Sequence, residues 1–119
     1  MLFRSVCAID DLIFSIKVST AAKALHTDVY FERSGDRLLD TIRDKRPSLV
    51  IIDLNSARLR PLDAIAALKR DPDLISIRTL GYVSHVDTAT IDAARAAGID
   101  QVMARSAFVN QLGEILTTA

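Results

Sequence analysis

Five short runs of apolar and β-branched residues alternate along the chain with five stretches in which apolar residues recur every three or four positions, and this alternation constrains the fold more than any other feature. Leu2 to Ile9 reads as a buried strand that stops at Asp10-Asp11. Val29-Tyr30-Phe31 is a short second strand, and Ser48 to Ile52, terminating at Asp53, has the strongest strand signal. Thr79 to Val83 and Gln101 to Ala104 complete the set. Between them the period changes to that of a helix. Leu12 to His26 places Phe14, Val18, Ala21 and Leu25 on one stripe, with His26 closing the segment where a cation suits the helix dipole. Leu38, Leu39 and Ile42 form a second stripe after Ser34-Gly35 and before Pro47. Pro61 suits the first turn of a third helix, with Leu62, Ile65 and Ala66 facing inward and Asp71-Pro72 ending it. Thr88 to Ala97 is a fourth, opened by Asp87 as a cap and closed by Gly98 in a left-handed position. Phe108, Leu112, Ile115 and Leu116 mark a brief last helix.

Strand and helix alternating with short connections imply right-handed crossovers over a parallel sheet. At 119 residues this is one domain, 1–119, with no linker or repeat. The expected architecture is an α/β doubly wound sandwich with strand order 2-1-3-4-5. In that order ligands bind at the carboxyl ends of the strands, beside the switch point between strands one and three.

Charge removes several function classes. Fifteen Lys and Arg balance fifteen Asp and Glu, so the chain lacks the electrostatic footprint of a direct nucleic-acid or anionic-membrane binder. No apolar stretch approaches a membrane span, no signal peptide is legible, and the single Cys7 sits in an apolar run with no partner. The expectation is a soluble cytoplasmic protein. The loop after the first strand, Asp10-Asp11-Leu12, has no glycine-rich phosphate cradle, which argues against a nucleotide or flavin enzyme on the same fold.

Thirteen of the fifteen acids are Asp, and what matters is where three of them fall. Asp10 and Asp11 follow strand one and Asp53 follows strand three, while Ser84 follows strand four and Arg105 strand five. Each acid taken singly serves as well as a helix cap or turn residue. Together they are expected at one end of the sheet, where three carboxylates repel unless a cation sits among them; hard oxygen ligands with room for water suit Mg²⁺.

This pattern resembles the receiver domain of two-component response regulators, a flavodoxin-like (βα)5 fold, over essentially the whole chain. The segment Leu49-Val-Ile-Ile-Asp-Leu-Asn55 and the segment Ala96-Ala-Gly-Ile-Asp100 are its most specific pieces. The resemblance implies Asp53 as the phosphoacceptor, Asp10, Asp11 and Asp53 with the main-chain carbonyl of Asn55 as Mg²⁺ ligands, and Ser84 as a phosphoryl contact. It implies a sensor histidine kinase or phosphotransfer protein as donor, a downstream protein partner, and no enzymatic activity beyond self-catalysed phosphorylation and dephosphorylation. It also admits a homodimer through the fourth and fifth helices, where Val86, Ala107 and Val109 are apolar. Three departures stand beside it. Arg105-Ser106 replaces a Lys-Pro pair, Val102 replaces an aromatic residue that moves with the hydroxyl residue on phosphorylation, and the loop after Asp53 has Ala57 and Pro61 where Pro and Gly are usual. These support an alternative: a degenerate receiver that binds a partner independently of phosphorylation. His85, next to Ser84, reads as a solvated or packed loop residue.

Overall fold

A computed structural model describes residues 4–84 and 87–118. The expectations for Leu2, Phe3, His85 and Val86 lie outside these residues. Five parallel strands, β1 (Ser5–Ala8), β2 (Val29–Phe31), β3 (Leu49–Asp53), β4 (Arg78–Val83) and β5 (Gln101–Ala104), stand in the order β2-β1-β3-β4-β5. The expected topology is the observed one. Among the described residues no helix is long and apolar enough to cross a membrane.

Both faces of the sheet are covered, which explains why its central strands read as continuous apolar runs. On one face α2 (Gly35–Lys45), α3 (Pro61–Arg70) and α4 (Thr88–Ala97) pack Leu38, Ile42, Ile65, Leu68 and Ala94 against Val6, Val50 and Ile52. On the other, α1 (Leu12–Ala24) with α5 (Arg105–Asn110) and α6 (Leu112–Thr117) brings Phe14, Val18, Phe108 and Leu116 over Cys7, Ile51 and Tyr82. Successive strand residues thus feed opposite layers. Cys7 is fully buried and desolvation pushes its thiol up to about 12, as expected of a packing residue.

Several boundaries differ from the sequence expectation. The first helix ends at Ala24, and His26 follows in a left-handed turn with φ 55°, so Leu25 is exposed and Ala22 fills the inward position. In α3 it is Pro61, Ile65 and Leu68 that are buried, with Leu62 and Ala66 only half-buried. The last helix is two short pieces meeting at Gln111, where Asn110 and Gly113 supply little helical propensity and a Cβ at Gly113 would touch nothing. By contrast, α4 begins and ends where Asp87 and Gly98 predict: Asp87 accepts the Thr90 N–H, and Gly98 has φ 105°.

Beside its buried stripe α1 exposes Leu12, Ile13 and Ile16, with Ile13 82% exposed, immediately after the acidic pair.

Candidate functional site

The carboxyl ends of β1, β3, β4 and β5 bring Asp11, Asp53, Ser84 and Arg105 to one edge of the sheet, with Asp10 beside them. Asp11 caps α1: its Oδ1 accepts the Phe14 N–H at 3.0 Å, and its main-chain carbonyl accepts the Ser15 hydroxyl at 2.8 Å. The capping and the site roles weighed separately in the sequence fall on one side chain. The Phe14 N–H, helped by Arg105, holds the Asp11 carboxyl below the usual carboxylate range against partial desolvation.

Arg105 reaches across the pocket. Its guanidinium lies 3.4 Å from Asp11 Oδ2 and 3.4 Å from Ser84 Oγ, and its Cζ sits 4.1 Å from the centre of the Phe14 ring. A planar, delocalised cation can stack flat on an aromatic face while its N–H groups fork toward two oxygens. The ring is itself fixed by packing, with Phe14, Tyr82 and Phe108 forming a cluster whose centroids are 5.1 to 5.9 Å apart. Asp10 faces a different guanidinium, that of Arg58, at 3.7 Å. Arg58 belongs to a single 3-10 turn (Ala57–Leu59) after β3, the loop whose residues depart from the receiver pattern.

Of the three strand-end acids, Asp53 is the one with no ion pair among the described residues. It is half-buried at the end of β3, and burial raises its carboxyl above the ordinary value. The Asn55 N–H, donating to Asp53 Oδ1 at 2.9 Å, and the Arg105 charge pull the other way, while Asp11 and Asp10 add to the rise. Asn55 does more than donate: its side-chain Oδ1 accepts the Ser84 N–H at 2.5 Å, tying the loops after β3 and β4 together. Beneath them the buried Tyr82 hydroxyl has no hydrogen-bond partner among the described residues, and burial with the nearby Asp53 charge pushes its pKa up.

The donor set, as arranged, does not fit a divalent cation. Asp11 serves a helix cap and Arg105, Asp10 faces Arg58, and among the described residues no three His, Cys, Asp or Glu side chains lie close enough to share a metal. Two participants were not picked out as site residues in the sequence. Phe14 reads there as core packing, and only the fold reveals it as the platform for Arg105. Arg58 reads as part of a polar loop, with no local signal linking it to an acid so distant in sequence.

No protein-family model and no curated protein matches the chain. Solved structures do. A response regulator from Hahella chejuensis superposes with a TM-score of 0.85 at 16% identity, covering 97% of this chain and 92% of that one. The chemotaxis response regulator CheY4 of Vibrio cholerae gives 0.82 at 14% identity, over 99% and 98% of the two chains. The Mn²⁺-bound form of response regulator Rcp1 gives 0.78 at 17% identity, over 97% and 95%. The chain thus has the fold of response-regulator receiver domains, a flavodoxin-like five-stranded parallel sandwich.

Proposed function

We propose that the chain is a receiver-like signalling module whose strand-end acids are countered by its own Arg105, and more loosely by Arg58, and whose output is made through contact with a protein partner without requiring phosphate on Asp53. The observation behind this reading is the position of Arg105, held by Asp11, Ser84 and the Phe14 ring at once. Preformed internal cations reduce the repulsion that otherwise makes clustered carboxylates take up a metal. Next to the pocket, Leu12, Ile13 and Ile16 on α1 form the kind of exposed apolar surface that a protein partner covers.

One observation favours a second reading. Asp53 stands at the end of a central strand with no cation bonded to it, as a phosphoacceptor would. In that reading an Asp53 carboxylate oxygen attacks the phosphorus of a phosphohistidine on a kinase or phosphotransfer protein. The P–N bond breaks and an acyl phosphate forms, with Arg105 and Ser84 placed to meet its oxygens; Asp10 and Asp11, released from their guanidinium partners, would hold a Mg²⁺ ion that would supply further charge neutralisation.

Intact mass after incubation with Mg²⁺ and acetyl phosphate separates the two. The first reading expects no phosphoryl adduct under conditions that label a control receiver. An adduct on the native chain, absent from Asp53→Asn, would overturn it in favour of the second.

A further inference from the structure

The chain is neutral overall, yet four of its fifteen Lys and Arg line a single cleft of about 500 Å³ in which Asp36 is the one carboxylate. Arg33 and Arg37 come from the end of β2 and the first turn of α2, and Arg58 and Arg60 from the loop after β3. The two segments meet closely. A Cβ at Gly35 would lie 2.8 Å from the Leu59 carbonyl oxygen, so glycine permits the contact that sets the two pairs of arginines around one opening.

Two of these cations are held only loosely by the acids nearby. Arg37 is 3.7 Å from Glu32 and Arg58 is 3.7 Å from Asp10, both beyond hydrogen-bond length, and their side chains are 75% and 78% exposed. Arg60 pairs with Asp36, and Arg33 has no ion-pair partner among the described residues. Exposed pairs of this kind are weak and are readily exchanged for a better anion. Guanidinium forks match phosphate oxygens two at a time, and several around one opening suit a ligand with more than one phosphoryl group. The lining has no aromatic ring and little aliphatic surface, so a base or other organic portion would find no platform.

We propose that this cleft binds a small polyphosphate anion through its diphosphate moiety, with Arg33, Arg37, Arg58 and Arg60 as donors. Because Arg58 also faces Asp10, the bound anion competes with that acid for one guanidinium and loosens one of the two cationic ties on the strand-end acids. The proposal is independent of the fate of Asp53 and stands or falls separately from the reading above.

The test is a titration of ¹⁵N-labelled protein with inorganic pyrophosphate, and separately with ADP, at fixed ionic strength and without divalent metal. Saturable shifts confined to amides 33–37 and 57–60 are expected. The double variant Arg33→Ala/Arg37→Ala, with a dispersed native-like spectrum, should lose about tenfold or more in affinity. Equal affinity for ADP and pyrophosphate would support recognition of the diphosphate alone, whereas ADP binding more than about tenfold tighter would overturn it. Shifts spread over the surface without saturation, or unchanged affinity in the double variant, would mean an adventitious ion only and would overturn the site.

Discussion

Two aspartates at opposite ends of the same sheet show what separates a structural acid from a candidate functional one. Asp100, just before β5, has its Oδ2 in contact with the Thr79 N–H at 2.8 Å, the Thr79 hydroxyl at 2.9 Å and Lys69 Nζ at 2.9 Å, and Lys69 also reaches the carbonyls of Ile75 and Ile77. Burial works to raise the Asp100 carboxyl, but Lys69 and Thr79 outweigh it and hold it below the usual value. Asp53, at the other end, receives one backbone N–H, sits among like charges and is raised. One end of the sheet is a closed lock and the other keeps an under-satisfied carboxylate, as perturbed groups at functional sites do.

The contrast can be broken at several points. Asp100→Ala should cost the most, about 2 kcal/mol in chemical denaturation, because it takes the shared acceptor from the buried Thr79 N–H and hydroxyl proton and the carboxylate partner from Lys69. The Asp100 contribution has a definite pH sign: with the folded pKa depressed, it is present above the unfolded value and lost as pH falls below about 4. Denaturation midpoints of native and Asp100→Ala proteins should therefore converge in acid.

Arg105→Ala comes next, with an expected loss of about 1 kcal/mol from the stacked, half-exposed cation and its contacts. Its larger consequence is electrostatic: the acids lose their internal counter-charge.

Asp53→Asn has the opposite sign and the smallest size. A carboxyl raised by folding stabilises the folded state only at low pH, and that contribution is lost as pH rises through the folded value. The substitution should thus stabilise the protein at neutral pH by a few tenths of a kcal/mol, after allowing for solvent screening at a half-exposed group, and leave it unchanged near pH 3. A loss of stability at neutral pH would show that Asp53 belongs with Asp100 as a structural acid.

The features legible in the sequence were those governed by local chemistry. Asp87 and Gly98 bound α4 because capping is decided within a few residues, and Leu49 to Ile52 announce a central strand because both of its faces are covered. The convergence of the strand-end residues followed from topology once five alternating units were recognised. What could not be read was non-local or marginal. The stacking of Arg105 on Phe14 joins residues at opposite ends of the chain, and the pairing of Arg58 with Asp10 depends on the path of one 3-10 turn. The break at Gln111 and the early end of α1 at Ala24 reflect propensities too weak to fix a boundary without the packing around them. Arg105 itself stood out in the sequence, but whether it fills the pocket or turns from it is a matter of side-chain geometry.

The central claim, that Arg105 occupies the place a divalent cation would take among these acids, is tested most directly by Mg²⁺ titration of native protein and Arg105→Ala, followed through the amide resonances of Asp11, Asp53 and Asn55. The account predicts no saturable response in the native protein at millimolar Mg²⁺ and a saturable response at all three positions in the variant. Saturable binding by the native protein, with affinity unchanged on removal of the guanidinium, would contradict it.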